Sequence, residues 1–274
     1  MINQDLRHLA LILDGNRRWG KQRGLAMSID FYVRSGLLGR EVAQAAFDRG
    51  VNNLTIWVGS VANLTKRPTL EIKALNRAYT KFFADAGNLE FLRERQVRVD
   101  CFGRWRDLLE SSTIDAIEKT LETTKDYNSG KCLTILIGYD GADERGAAVL
   151  KVLEDQAKLL SSRDPKTWPS GLPESHSDPA RSVSSEIATE PSLDDLVQAA
   201  NLLRKNSWTG HLPDVDLIIR TGCADDPHNS AGFLSLLVDH TQYAFLETLW
   251  PDFTPEMLYQ EVDRFAERER RMGK

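Results

Sequence analysis

The sequence predicts an α/β protein: a mostly parallel central sheet flanked by helices, in a single domain that spans residues 1–274. Short apolar segments, each closed by polar or glycine residues, are typical of strands that are buried on both faces. Between them lie segments whose apolar residues recur every three or four positions, as on one face of a helix. Because strands and helices alternate, we expect parallel strands joined by right-handed crossovers.

The predicted elements follow one another along the chain. The strands are predicted at 9–13, 54–58, 97–102, 133–137 and 215–219. Helices are predicted at 36–48, before Gly50, at 71–92, at 193–204 and from Pro255 onward. The long helix 71–92 carries one apolar stripe, formed by Ile72, Leu75, Tyr79, Phe82, Ala86 and Leu89. Such a stripe packs in a core or lines a cavity, and its spacing leaves both interpretations open.

Composition excludes several classes of protein. With 41% hydrophobic and 27% charged residues, the chain is typical of a globular protein. Its net charge of −5 argues against a general nucleic-acid binder, which needs a basic face. Cys101, Cys132 and Cys223 are too few and too scattered for a disulfide framework or a zinc site. We find neither a membrane-spanning apolar run nor a secretory signal, and we expect a cytoplasmic protein.

One segment, 161–195, departs from this composition. It is rich in serine and contains five of the ten prolines. Such a segment buries too little apolar area to offset the entropy lost on ordering. We therefore predict a mobile insertion within the domain.

The motif that follows the first predicted strand carries the clearest chemistry. The strand ends at Asp14, and Gly15 and Asn16 lead into a helix. The carboxyl ends of parallel strands border the ligand crevice, where Arg17 and Arg18 are suited to bind anionic oxygens. Asp14 beside phosphates favours a bridging Mg²⁺, although the same residue is equally suited to capping the helix. The glycine motifs of P-loop and dinucleotide-binding sites are absent from the sequence.

Four segments together resemble the cis-prenyltransferases, the undecaprenyl diphosphate synthase family. The first is Asp14–Trp19, followed by the sequence KQRG. The segment 54–68 resembles the family's strand and Ser-x-Glu-Asn-Trp-x-Arg-Pro loop, and 215–222 resembles its Asp-Leu-x-Ile-Arg-Thr strand. Residues 250–253 and 265–273 resemble its C-terminal helix. The likeness covers nearly the whole chain outside the insertion.

The resemblance implies a homodimeric enzyme with an elongated apolar tunnel beneath a diphosphate site. Family members use Mg²⁺ to transfer an allylic prenyl group to isopentenyl diphosphate, so the implied ligands are isoprenoid diphosphates. By position, Asp14 directs the metal and the diphosphate, and Asn63 lies near the proton-abstraction step. The implied substrate-binding residues are Gly15, Asn16, Arg17, Arg18, Trp19, Ser60, Arg67 and Arg220, the last on the acceptor's diphosphate. Apart from the resemblance, His228 is a further candidate substrate-binding residue, and His228 and His240 are candidates for assisting proton transfer at the acceptor, although a lone histidine is more often structural.

Departures from the family pattern cluster around the acceptor. Tyr32 stands about where the family has a histidine, and Ala62 and Leu64 replace a glutamate and a tryptophan of the loop. The arginine expected soon after Arg220 is absent, and counting back from Trp250 puts Gln242 at the position of a metal-binding glutamate. An arginine lost from a diphosphate pocket removes a bidentate contact. The acceptor site is therefore predicted to be rebuilt, while the donor site is mostly kept.

These departures favour an irregular, short-chain condensation of two allylic diphosphates, as in lavandulyl-type relatives. Three alternatives stay open. They are ordinary cis-elongation with isopentenyl diphosphate, a terpene synthase or a transferase to a non-isoprenoid acceptor, and an inactive partner subunit. The retained Asp14–Trp19 motif argues against the last, because a scaffold has no need of a charged cleft, whereas the loss of the carboxylate expected at Gln242 argues for it.

Overall fold

The computed structural model describes residues 6–25, 28–161 and 192–267, with side chains of 159–161 left aside. Most of the predicted insertion, 162–191, lies outside these ranges, so its mobility stays a prediction. Within the described chain, no helix is both long and apolar enough to cross a membrane.

The described strands form one fully parallel sheet. They are β1 (His8–Ile12), β2 (Asn53–Ser60), β3 (Arg98–Phe102), β4 (Cys132–Tyr139), β5 (Leu217–Arg220) and β6 (Gln242–Phe245). Their order across the sheet is β3-β4-β2-β1-β5-β6. The predicted α/β class with a parallel sheet is confirmed. Strand β6 was not predicted, because four residues of mixed polarity at a sheet edge carry too short a pattern.

The structure describes ten α-helices, of which nine lie between strands along the chain and α10 follows β6. They are α1 (Asn16–Gln22), α2 (Ile29–Asp48), α3 (Val61–Thr65), α4 (Thr69–Ala84), α5 (Ala86–Glu94), α6 (Trp105–Leu108), α7 (Ser111–Thr124), α8 (Gly141–Ser161), α9 (Leu193–Asn206) and α10 (Pro255–Glu267). Short 3₁₀ turns cover Ser230–Gly232 and Trp250–Asp252. Helix α2 packs against α4, α4 against α7, and α10 against α2.

Two helix predictions were wrong in their bounds. The single helix predicted at 71–92 is two helices, because Asp85 adopts an extended conformation and its side chain accepts a hydrogen bond from Asn88 N (2.8 Å). The helix predicted from residue 36 begins seven residues earlier, where the Ser28 side chain caps it. In both cases a capping side chain, rather than the apolar spacing, determines the boundary.

Contacts divide the chain into two compact units. The first contains the sheet and comprises the residues up to Glu144 and those from His211 onward, and the second is Arg145–Gly210. In the second unit, α9 begins with a capping box between Ser192 and Asp195. The single domain predicted for the whole chain stays a prediction.

One face of the sheet forms much of the core of the first unit. Strand register aligns Leu9 with Leu54, and Leu54 with Leu133, and all three are buried. Burying a side chain of this size stabilises the fold by roughly 1.5–3 kcal/mol relative to its exposure. The same face, covered by α2 and α4, borders the cavity described next.

Candidate active site

A cavity of about 320 Å³ lies between this sheet face and helices α2, α4 and α5. Its mouth, at the carboxyl ends of β1, β2 and β5, is lined by Asp14, Asn16, Ser60, Asn63, Arg67 and Arg220. Deeper in, its wall is mostly apolar and includes Leu75, Ala78, Tyr79, Phe82, Phe83, Leu89, Phe91 and Leu92. A polar mouth above an apolar interior suits a ligand with a charged head and a hydrocarbon tail.

Asp14 lies two residues after β1 and is held between two arginines. Its Oδ2 accepts from Arg220 Nη2 at 3.0 Å, and its Oδ1 lies 3.3 Å from Arg18 Nη2. The next residue must be glycine, since Gly15 has φ +102° and a Cβ there would lie 2.7 Å from Leu249. The carboxylate therefore faces the cavity mouth in a fixed position, with two cations beside it.

Arg220, the last residue of β5, is aligned with Ile12 of β1 and reaches the same mouth. Its side chain is only 8% exposed, and its Nη1 donates to the His228 carbonyl at 2.9 Å. Its Nε is buried and has no hydrogen-bond partner among the described residues. Buried donors are normally paired, so this orphaned N–H beside a cavity fits an anionic ligand that the guanidinium would bind.

The loop after β2 is organised by a reciprocal capping box. Ser60 Oγ accepts from Asn63 N at 3.1 Å, and Asn63 Oδ1 accepts from Ser60 N at 3.2 Å. These two bonds fix the start of α3 at the carboxyl end of β2. Both side chains consequently line the cavity mouth in a defined orientation.

A buried cluster that the sequence did not single out supports Arg67. Glu71 is 8% exposed, and its Oε1 accepts from Tyr32 Oη (2.7 Å) and from Arg67 Nη1 (2.9 Å), with Arg17 Nε at 3.7 Å. Burial, and then the bond to Glu71, raise the pKa of the Tyr32 hydroxyl, which stays protonated and donates. The four-residue spacing of Arg67 and Glu71, which is typical of an ion pair on one helix face, was the one signal of this cluster in the sequence. Nothing in the sequence indicated that Tyr32 contacts these two residues.

The other predicted residues lie around the mouth rather than in the cavity wall. Arg17 and Arg18 are half exposed, and Arg18 also donates to the Gly222 carbonyl. The Trp19 indole donates to Asp252 Oδ1 at 2.7 Å, and the Arg23 guanidinium stacks over its ring. Their contacts to a substrate stay predictions.

The acceptor-side predictions fall on the segment after β5. The His228 side chain is 45% exposed, and its ring nitrogens contact the Asp226 carbonyl and Ser230 Oγ, so only its backbone carbonyl reaches Arg220. Gln242 is aligned with Leu217, three residues before Arg220, and therefore lies about 10 Å along the strands from the mouth. The part of β6 nearest the mouth is instead Phe245.

The donor set at the mouth is compatible with Mg²⁺ only if a ligand contributes oxygens. Asp14 is the one carboxylate among the described residues that line the cavity, and those residues hold no cluster of three or more metal-ligating side chains. Mg²⁺ is commonly bound by one or two carboxylates together with substrate phosphates. Asp14 fits that arrangement.

Part of the apolar stripe on α4 and α5 lines the cavity. Leu75, Tyr79, Phe82 and Leu89 contribute to the wall, whereas Ile72 and Ala86 are not among the lining residues. Leu75 and Tyr79 also belong to the hydrophobic core, so the stripe serves both of the roles that its spacing left open. Tyr79 Oη donates to the Val58 carbonyl at 3.0 Å, and burial raises the pKa of this hydroxyl. These contacts describe a cavity, and the predicted elongated tunnel stays a prediction.

Comparisons with known proteins agree with this architecture. A family model described as "Putative undecaprenyl diphosphate synthase" matches residues 12–273. The isoprenyl transferase of Brucella abortus biovar 1 (strain 9-941) is 33% identical over 270 residues, covering 98% of this chain and 90% of that protein. An isoprenyl transferase of Thermus thermophilus is 30% identical over 271 residues, covering 98% and 89%.

Solved structures show the same fold. The crystal structure of lavandulyl diphosphate synthase from Lavandula x intermedia, in complex with dimethylallyl diphosphate, matches with a TM-score of 0.77. The two proteins are 21% identical, and the match covers 98% of each chain. At this identity the likeness concerns the fold alone.

Proposed function

We propose a specific reaction from the premise that this chain belongs to the undecaprenyl diphosphate synthase family and is a prenyl-transferring enzyme. The reaction is the irregular condensation of two short-chain allylic diphosphates. The observation that carries the ionisation of the donor is Asp14, held between Arg18 and Arg220 at the mouth of an apolar cavity, and the acceptor side supports the choice of the second substrate. The charged head and the apolar tail of an allylic diphosphate match the two parts of this site.

At the donor, the C1–O bond breaks and the leaving diphosphate keeps the electron pair. In this assignment the Arg18 guanidinium, 3.3 Å from Asp14, lies where negative charge grows on the leaving oxygens, and fixed cations stabilise that charge most when water is excluded. Mg²⁺, when bound by Asp14 and the diphosphate, would supply further charge neutralisation. The apolar wall around Tyr79 and Phe82 keeps water from the carbocation-like prenyl group.

At the acceptor, a carbon–carbon double bond supplies the electron pair for the new bond to C1 of the donor. The acceptor then loses one proton, so the products are the branched prenyl diphosphate, free diphosphate and a proton. In this assignment Arg220 binds the acceptor's diphosphate, and Asn63 lies near the carbon that loses the proton.

The acceptor side supports an allylic rather than an isopentenyl partner. The stretch 221–232 contains neither arginine nor lysine, so Arg220 is its nearest cation in the sequence. An acceptor bound by fewer cations depends more on contacts to its hydrocarbon part. Trp57, which stacks on Phe233 (5.3 Å between ring centroids), lines the cavity together with Arg220 and offers such a surface. The likeness to lavandulyl diphosphate synthase is consistent with this choice.

Ordinary cis-elongation with isopentenyl diphosphate is the second candidate. It is favoured by the curated relatives, which are isoprenyl transferases at 28–33% identity over almost their full length. The ordered Ser60–Asn63 capping box at the mouth serves either reaction. The two candidates differ only in the second substrate.

One experiment separates these reactions. The protein is incubated with Mg²⁺ and C5, C10 or C15 allylic diphosphates, with and without isopentenyl diphosphate, and every product is identified. We expect product from allylic diphosphates alone, with a branched skeleton. A requirement for isopentenyl diphosphate would instead establish cis-elongation, a cyclic product would establish a terpene synthase, and complete inertness would support an inactive partner subunit.

A homodimer in the cytoplasm completes the proposal, on the strength of the family resemblance. Light scattering of the purified chain measures the first part directly. A mass near that of one chain at micromolar concentration would exclude the homodimer.

A further inference from the structure

The deep end of the cavity is closed on one side by an ion pair. Arg40 of α2 donates through Nη1 to Asp85 Oδ1 (3.0 Å) and to Asn88 Oδ1 (3.2 Å), and we name these three residues the Arg40 clasp. Arg40 follows Tyr32 of the mouth cluster by eight residues, which corresponds to about 12 Å along the helix. Arg40 lines the cavity and is also 25% exposed, while Asp85 is 38% exposed. The clasp therefore separates the cavity from solvent.

The clasp is held by its surroundings rather than by one flexible side chain. Asp85 is the residue that breaks α4 from α5, and it caps α5 through Asn88 N. Asn88, itself buried, donates through Nδ2 to the Phe82 carbonyl at 2.8 Å. Gly87 leaves the space for the guanidinium, because a Cβ there would lie 2.5 Å from Arg40 Nη1.

The volume enclosed matches a short prenyl chain. An apolar protein cavity of about 150 Å³ accommodates benzene, which is roughly 25 Å³ per carbon, so about 320 Å³, a volume that includes the polar mouth, corresponds to at most roughly 13 carbons. Two large side chains limit the space further along the same wall. A Cβ on Gly36 would lie 3.1 Å from the Phe82 ring, and one on Gly59 would lie 2.8 Å from Tyr79 Oη, so both side chains sit against glycines.

We propose that Arg40 is a specificity-determining residue: its clasp with Asp85 and Asn88 closes the deep end of the cavity and limits the prenyl chain to roughly 10–15 carbons. This inference rests on the proposed function, because it assigns the cavity to a prenyl chain. A chain of 20 carbons must displace the guanidinium from its carboxylate partner or leave its last carbons outside. A well-packed wall resists the first, and the second forfeits apolar burial.

The inference can be tested without turnover by measuring the binding of substrate analogues whose bond between C1 and the diphosphate group resists heterolysis. The probes are the S-thiolo diphosphates of the C10, C15 and C20 prenyl alcohols, with Mg²⁺, measured by calorimetry. For the wild type we expect C20 to bind at least about tenfold more weakly than C15, the size of a typical overpacking penalty. In Arg40→Ala that gap should shrink to less than about threefold, because the deep end opens to solvent.

A second variant disturbs the clasp without removing Arg40, and a third serves as control. Gly87→Ala places a methyl group against Arg40 Nη1, so this variant should also reduce the difference in affinity between C15 and C20. It keeps the inference testable if Arg40→Ala does not fold. Glu41→Ala removes the exposed neighbour on α2 and should keep the wild-type order of affinities. Two outcomes would overturn this inference but leave the proposed function intact. Either the wild type binds C20 as tightly as C15, or the difference in affinity between C15 and C20 is unchanged in both Arg40→Ala and Gly87→Ala. Binding of none of the three probes by the wild type would overturn the proposed function and this inference together.

Discussion

The Asp14 carboxylate shows how one side chain couples two distant segments. Arg18 is four residues away, whereas Arg220 lies 206 residues further along the chain. The Arg18 guanidinium is about half exposed, and the Arg220 guanidinium, although only 8% exposed, pairs with a carboxylate that is 38% exposed to water. Each pair is therefore expected to stabilise the fold by about 1 kcal/mol or less. The position of Asp14 is better explained by the reaction than by stability.

Substituting this carboxylate tests that explanation. Asp14→Asn should lower turnover with allylic diphosphates by at least about 100-fold, because the amide cannot direct a divalent cation onto the diphosphate. The free energy of unfolding should change by less than about 1 kcal/mol. Steady-state rates and denaturant unfolding measure the two effects. Asp239→Asn, at an exposed carboxylate, is the control, and near-normal turnover in Asp14→Asn would remove Asp14 from the mechanism.

His8 is a buried residue with a structural role. Its Nδ1 lies 2.8 Å from the Pro213 carbonyl and its Nε2 lies 2.8 Å from Thr55 Oγ1. A carbonyl only accepts, so Nδ1 carries the hydrogen and Nε2 accepts from the threonine hydroxyl. Burial disfavours the charged ring and lowers the pKa of His8 to about 4.

This shift predicts a loss of stability in mild acid. The folded pKa lies below the ordinary value of 6.5, so between pH 6.5 and about 4 the unfolded chain binds the extra proton. The free energy of unfolding should therefore fall as pH drops through this window, by up to about 3 kcal/mol. Denaturant unfolding at about pH 7 and about pH 5 measures the slope. The decrease in the free energy of unfolding on acidification should be smaller in His8→Gln than in the wild type. In the control His240→Gln, at an exposed histidine, the decrease should match that of the wild type.

At the scale of elements, helix α4 packs on β2 through a matched pair. Tyr79 of α4 donates to the Val58 carbonyl directly beside Gly59. A Cβ at position 59 would lie 2.8 Å from the hydroxyl but 4.0 Å from the ring carbon that carries it. The close approach thus involves the hydroxyl alone.

A double-mutant cycle measures this pairing. Gly59→Ala should lower the free energy of unfolding by about 1–3 kcal/mol through overpacking, and Tyr79→Phe by about 1 kcal/mol through the lost hydrogen bond. The double variant should cost less than the sum by at least about 1 kcal/mol, because removing the tyrosine hydroxyl leaves room for the methyl group. As a control, Gly39→Ala, whose Cβ would meet nothing within 4 Å, should be neutral or slightly stabilising. Additive effects of the first two substitutions would contradict the packing account.

Asp85 illustrates what helical periodicity misses. The apolar spacing from Ile72 to Leu89 continues across the break, so the pattern alone predicts one helix. The break is made by a backbone turn, an N-cap and an ion pair to Arg40 on another helix. The last of these is invisible until α2 and α5 are brought together.

For the whole molecule, the donor set predicts how metal and substrate affect thermal stability. Mg²⁺ alone should shift Tm by less than about 1 °C, because Asp14 is the one carboxylate among the described cavity-lining residues. Mg²⁺ with a C10 thiolo diphosphate at about 100 times its Kd should raise Tm by roughly 5–10 °C, more than the diphosphate does alone. Thermal denaturation with each addition measures this, and Asp14→Asn should abolish the extra shift. A large shift with Mg²⁺ alone would indicate a preformed metal site instead.

The sequence by itself determined the α/β class, the first five strands in chain order and the family, all of which the structure and the comparisons confirm. These follow from local information: apolar runs, glycine positions and contiguous motifs such as Asp14–Trp19. Only the tertiary structure decided that Arg220 meets Asp14, that Tyr32 and Glu71 support Arg67, and that Arg40 closes the cavity. The physical reason is that these contacts join segments from 35 to 206 residues apart, and packing of the sheet and helices, rather than any spacing along the chain, brings them together.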